Sequence, residues 1–124
     1  MVQKHIIVCD DDEGIADVAT IVLTEAGYFV TPLTKSSDIF QTIQEKRPHL
    51  ILIDLWMPDM SGEEITRNLK ENSDTKDIPI IIISANKNTS DVAEKAGANG
   101  FIDKPFDLDE LERVVKKYLP EDSL

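Results

Sequence analysis

The chain has 124 residues, 41% of them hydrophobic, and a formal net charge of -11. That size and apolar share suit one globular domain with one core and argue against global disorder, while so acidic a surface argues against direct binding of nucleic acid or insertion at anionic membranes. The single cysteine, Cys9, excludes an internal disulfide, and no stretch has the length of a signal-peptide core or a membrane span, so a cytoplasmic location is expected.

In chain order, short apolar runs alternate with segments of helical spacing. His5–Cys9 (HIIVC) leads into Asp10, Asp11 and Asp12, then into Glu13–Ala26, where Ile15, Val18, Ala19, Val22 and Ala26 recur at three- and four-residue steps. Gly27 follows as a left-handed cap. Tyr28–Leu33 is the second apolar run. Ser37–Lys46 reads as a helix through Ile39, Phe40 and Ile43, and Pro48 stops it. Leu50–Ile53 is the third run and ends at Asp54. Gly62–Lys70 carries Ile65 and Leu69, with Ser61 as its expected N-cap. Pro79–Ile83 is the fourth run and leads to Ser84 and Ala85. Asp91–Ala96, within the weakly patterned segment Asn86–Ala96 whose apolar residues are Val92, Ala93 and Ala96, predicts a short or mobile helix closed by Gly97. Gly100–Ile102 is a weaker fifth run before Asp103, Lys104 and Pro105. Asp107–Leu119 closes the series through Leu108, Leu111, Val114, Val115 and Tyr118, with Asp107 and Glu110 expected as a capping-box pair. Residues 1–120 are expected to form the domain and 121–124 a short tail.

Several runs are apolar at every position, as strands are when both faces of a parallel sheet are covered. Strictly alternating strand and helix predicts an α/β fold, a doubly wound five-stranded parallel sheet with helices on both faces. Strand order 2-1-3-4-5 fits the length and the right-handed crossover rule. In such a sheet ligands bind beyond the carboxyl ends of the strands. The residues falling there are Asp10, Asp11 and Asp12, then Asp54, then Ser84, then Lys104. Each has a plain structural reading: the acidic triplet as a helix start, Asp54 as a turn residue, Ser84 as structural, Lys104 as a loop lysine. Their joint placement favours function. Converging carboxylates need protonation, pairing or a cation, and oxygen-only ligands suit Mg²⁺. An aspartate beside such an ion and a lysine can attack phosphorus.

Four pieces, in order, carry a resemblance over essentially the whole chain. They are Ile6-Ile7-Val8-Cys9-Asp10-Asp11, Leu52-Ile53-Asp54-Leu55-Trp56-Met57-Pro58-Asp59-Met60-Ser61-Gly62, Pro79-Ile80-Ile81-Ile82-Ile83-Ser84-Ala85, and Ala96-Gly97-Ala98-Asn99-Gly100-Phe101-Ile102-Asp103-Lys104-Pro105-Phe106. With them the chain resembles the flavodoxin-like receiver domain of bacterial two-component response regulators, in the manner of the single-domain chemotaxis regulators. The resemblance implies that Asp54 is the phosphoacceptor. It implies that Asp10, Asp11, Asp54 and the backbone carbonyl of Trp56 hold Mg²⁺, with Mn²⁺ as a substitute. It makes Lys104 the partner of Asp54 and the phosphoryl oxygens, Ser84 the switch hydroxyl, Phe101 the switch aromatic, and the Lys104–Pro105 bond cis. The implied partners are a sensor histidine kinase or histidine phosphotransfer protein and an unnamed downstream protein. The domain would assist its own phosphorylation and dephosphorylation and would not be an enzyme with a released product of its own. Two other classes compete: a pseudo-receiver used only as a binding module, and an aspartate-nucleophile phosphatase. The phosphatase would carry a second acid just after the nucleophile, where Trp56 stands, and a cap insertion.

Overall fold

The computed structural model describes residues 3–85 and 89–119. Five strands, β1 (His5–Cys9), β2 (Phe29–Leu33), β3 (Leu50–Asp54), β4 (Ile80–Ser84) and β5 (Gly100–Asp103), form one parallel sheet in the order 2-1-3-4-5. Five helices alternate with them: α1 (Glu13–Glu25), α2 (Ile39–Lys46), α3 (Gly62–Glu71), α4 (Thr89–Ala96) and α5 (Leu108–Tyr118). The order and the doubly wound architecture match the expectation from the sequence. No described helix is long and apolar enough to cross a membrane.

The side chains of the central strands divide by parity, as successive residues of a strand must. Ile6, Val8, Leu50, Leu52, Ile81 and Ile83 pack with Ala19 and Leu23 of α1 and Leu111 and Val115 of α5. Ile7, Cys9, Ile51, Ile53, Ile80 and Ile82 pack with Ile39 and Ile43 of α2, Ile65 and Leu69 of α3, and Ala93 and Ala96 of α4. Two apolar layers therefore sandwich one sheet, which is why β1, β3 and β4 are buried along their length and, apart from His5, Asp54 and Ser84 at their ends, apolar. The edge strands are more exposed, and Pro32 is tolerated in β2 because an edge strand has one side with no ladder to serve.

The local signals mostly hold. Asp12 accepts from the amides of Gly14 and Ile15 and caps α1, and Ser61 accepts from Glu64 and caps α3. Gly27 and Gly97 have φ of +104° and +90°, the left-handed region in which a helix exit favours glycine. Three readings need correction. Ser36–Asp38 is a 3-10 turn, so the second helix begins at Ile39 and not Ser37. The fourth helix is short, as expected, at eight residues like α2, but it runs Thr89–Ala96 and so begins two residues before the expected Asp91; its approach, 86–88, lies outside the described residues. Asp107 has the extended backbone of an N-cap but makes no side-chain capping bond, so the expected pair with Glu110 does not form. The 121–124 tail also lies outside the described residues.

Gly62 shows how tightly the acceptor end is built. A Cβ there would lie 2.4 Å from the backbone oxygen of Asp54, and its amide donates to Leu55 O at 2.9 Å. A side chain at this position has to push α3 off the end of β3. Gly62→Ala is expected to destabilise the fold by about 2 kcal/mol or more. Gly27→Ala, where a Cβ meets nothing within 4 Å and only φ objects, should cost about 1 kcal/mol. Urea unfolding of both variants, compared by midpoint at constant slope, checks the ranking.

Candidate functional site

The carboxyl ends of β1 and β3 lie side by side in the middle of the sheet and open at one rim. Asp10 follows β1 directly, and its amide donates to Leu33 O at 2.9 Å, which fixes the exit of the chain. Asp54 is the last residue of β3, paired in register with Ile83. The next amide, Leu55 N, donates to Ile83 O at 2.9 Å, so the acidic side chain is held at a strand end and not on a free loop. Asp10 is 0% exposed and Asp54 5%.

The acidic triplet divides three ways. Asp10 is buried, and its Oδ1 accepts from the Asp12 amide at 2.9 Å. Asp11 is exposed at the rim. Asp12 turns away to cap α1. Asp10, Asp11 and Asp54 come together, one carboxylate oxygen from each lying within 4.8 Å of the other two.

Lys104 reaches this cluster from the loop after β5. Its Nζ lies 3.0 Å from Asp10 Oδ2 and 3.4 Å from Asp54 Oδ1. The Lys104 amide donates to Ser84 O at 2.8 Å, tying the loop to the end of β4, and the Lys104–Pro105 bond is cis. Ser84 is fully buried at the end of β4, in register with Asp103. Phe101 is 42% exposed on the edge strand β5, and Trp56 is 61% exposed just past Asp54. His5 and His49 lie at the other end of the sheet, where the His5 amide donates to His49 Nδ1 at 3.0 Å.

The electrostatics follow from this packing. The Asp54 carboxyl is pushed up to about 6, by burial first and then by the charge of Asp10, with Lys104 pulling the other way. Burial works against the Lys104 ammonium, but its close pairing with Asp10 and the charges of Asp10 and Asp54 outweigh that and raise it. Burial and the nearby carboxylates push the Cys9 thiol up to about 12, so Cys9 behaves as a small core side chain and not as a nucleophile.

The residues fit a hard divalent cation. Three carboxylates face one ammonium, leaving the cluster two charges short of neutral. Asp10 Oδ2 is buried with no hydrogen bond of good geometry, and its company is the ammonium 3.0 Å away. Oxygen donors alone, and few of them, are the donor set of Mg²⁺ or Mn²⁺. One surface hollow, about 390 Å³, lies away from this chemistry, between α4 and α5 against Phe101 and Tyr118. Another, about 320 Å³, touches it through Lys104, Pro105 and Ile15.

Sequence reasoning named Asp10, Asp11, Asp54 and Lys104, and the structure gathers all four. It missed Gly62, whose need for a bare α-carbon appears only when α3 is packed on β3. It also missed Ser36, a buried hydroxyl that accepts from the Met60 amide at 3.0 Å across the two loops beneath the site.

Comparison with known proteins gives a consistent answer. Residues 6–116 match the family model of the response regulator receiver domain. The DNA-binding response regulator MtrA of Mycolicibacterium smegmatis is 34% identical over 119 residues, covering 94% of this chain and 51% of that protein. The phosphate regulon transcriptional regulatory protein PhoB of Pseudomonas aeruginosa is 34% identical over 121 residues, 96% of this chain and 53% of its own length. The chain thus spans about half the length of these curated relatives. Among solved structures, a CheY-like response regulator receiver domain protein of Methanospirillum hungatei superposes with a TM-score of 0.83 at 27% identity, covering 94% of each chain.

Folding raises the Asp54 pKa above its ordinary 3.8, so between about pH 4 and 6 the folded state holds a proton that the unfolded state has lost. Stability contributed by this residue therefore falls as pH rises through that window and stays lower above it. In metal-free buffer with chelator, Asp54→Asn is expected to be more stable than the wild type at pH 7 by on the order of 1–2 kcal/mol. The advantage should vanish by about pH 4. Denaturant unfolding of both proteins across that range measures it.

Proposed function

The chain belongs to the response regulator receiver domain family, and from that premise we propose that it receives a phosphoryl group on Asp54 and relays the event as a change of surface. The donor is a phosphohistidine on a sensor histidine kinase or a histidine phosphotransfer protein. The recipient of the signal is a downstream protein surface. With a net charge of -11 this domain does not itself engage nucleic acid. The observation that carries the reading is the grouping of three carboxylates within 4.8 Å with one ammonium 3.0 and 3.4 Å from two of them.

Asp10, Asp11, Asp54 and the Trp56 backbone carbonyl are the groups that would hold Mg²⁺. When bound, the ion offsets the carboxylate repulsion and draws charge from the phosphoryl oxygens. The chain's own residues do the rest. An Asp54 oxygen attacks phosphorus, an O–P bond forms as the P–N bond to the donor imidazole breaks, and the bonding pair returns to the ring nitrogen, which takes a proton from solvent. Lys104 leaves Asp10 for the phosphoryl oxygens, to which it offers a compact charge. Ser84 donates its hydroxyl to the same group. Because the Lys104 amide is bonded to Ser84 O, these movements act on the ends of β4 and β5 together. Phe101 on β5 then leaves its exposed position, and the face around it changes.

Intact mass after incubation with Mg²⁺ and either acetyl phosphate or phosphoramidate tests this. The wild type is expected to gain one phosphoryl mass, and neither Asp54→Ala nor chelated wild type should gain any. Lys104→Ala should slow the gain by on the order of a hundredfold. No gain from either donor, in folded protein saturated with Mg²⁺, would replace this reading with that of a binding module.

A further inference from the structure

The loop from Leu55 to Ser61 joins the acceptor strand to α3 and carries Trp56. Its ends are fixed by backbone bonds, Leu55 N to Ile83 O and Gly62 N to Leu55 O, both at 2.9 Å. Between them Trp56, Pro58 and Asp59 are exposed, while Met57 and Met60 pack against the core layer below. A directional long-range bond also reaches the loop. The Met60 amide donates to Ser36 Oγ at 3.0 Å, across 24 residues of sequence.

Ser36 is 2% exposed and opens the 3-10 turn between β2 and α2, where its own carbonyl accepts from the Ile39 amide. The hydroxyl thus projects from a turn that is itself anchored. The two loops meet at a second point close by, where Cys9 Sγ lies 3.7 Å from Met57 Sδ and 4.0 Å from Lys35 O. That sulfur contact is soft and non-directional, whereas the amide-to-hydroxyl bond fixes a direction. A buried serine hydroxyl needs a partner, and its bond to the loop after Asp54 supplies one.

We propose that Ser36 is a positioning residue of the phosphoryl site. Its hydroxyl holds the loop after Asp54 in the arrangement that would present the Trp56 backbone carbonyl, two residues past the acceptor, to the metal. Without it the Met60 amide loses its acceptor, the loop gains alternatives, and groups that must converge to within a fraction of an ångström no longer do so. Ser36 touches no reacting atom and acts only through the loop. The inference rests on the phosphoacceptor reading above, and the test separates the two.

Ser36→Ala is compared with Thr75→Ala, which removes a comparable hydroxyl contact, Thr75 Oγ1 to Leu69 O at 2.6 Å, at the far end of α3. Mg²⁺ affinity is read from the fluorescence of Trp56, the chain's single tryptophan, and independently by calorimetry. Ser36→Ala is expected to weaken Mg²⁺ binding about tenfold, the low end for contacts that orient a metal site from outside it. It should slow phosphoryl gain from acetyl phosphate by a similar factor, while Thr75→Ala changes neither. Should the alanine variant not fold, Ser36→Cys fills the same space with a far weaker acceptor and carries the same expectation. Affinity within twofold of wild type in folded Ser36 variants, or an equal loss in Thr75→Ala, overturns the positioning role. Wild-type protein that binds Mg²⁺ yet gains no phosphoryl mass would instead overturn the phosphoacceptor reading.

Discussion

Three carboxylates share a space less than 5 Å across at the end of a buried strand pair, and one lysine answers them. In water such a cluster would disperse. Here it cannot, because Asp10 and Asp54 are held by backbone bonds at the ends of β1 and β3, the two strands that every layer of the core packs against. The fold therefore stores an unbalanced charge at a fixed place. The Asp54 carboxyl is raised by its burial first and by the charge of Asp10 second, and the Lys104 ammonium is raised by its carboxylate neighbours against its own burial. A divalent cation is complementary to the unbalanced charge and would supply the missing positive charge; under the proposed function a phosphoryl group would then give Lys104 a new set of oxygens.

The same geometry links chemistry to surface. Lys104 enters from the loop after β5, and its amide is bonded to the end of β4. β5 is an edge strand with Phe101 largely open to solvent. An event that moved the lysine head group by a few ångströms would thus pull on an exposed edge strand of the sheet. The most buried strands stay fixed and hold the carboxylates. A rigid centre with a looser edge is what a two-state relay requires.

Much of this was legible in the sequence, for a physical reason. Strands apolar at every position, such as Leu50–Ile53 and Ile80–Ile83, admit few environments besides a sheet covered on both faces. Once the sheet is parallel, the residues after each run must share one rim, which places Asp10, Asp54, Ser84 and Lys104 together. What failed was local and marginal. Asp107 has the residue type and backbone of a cap, yet its carboxylate makes no capping bond, because side-chain capping is worth only about 1 kcal/mol and other choices compete. The weak pattern of Asp91–Ala96 understated α4, whose buried face needs only Ala93 and Ala96 against the α3 side of the sheet. Ser36 and Gly62 were invisible for a different reason. One matters through a bond to a residue 24 positions away, and the other through an atom it lacks, and neither leaves a periodic trace.

The central claim is that the Asp54 carboxylate, with Asp10, Asp11 and Lys104, forms a site for a phosphoryl group and its metal. It is tested most directly by a crystal structure grown with Mg²⁺ and beryllium trifluoride, a stable stand-in for the phosphoryl group. The expected result is the beryllium on an Asp54 oxygen, Mg²⁺ among the carboxylates, and Lys104 Nζ turned from Asp10 to a fluoride. Beryllium absent or bound elsewhere, with Lys104 still paired to Asp10 at saturating Mg²⁺ and fluoride, would contradict it.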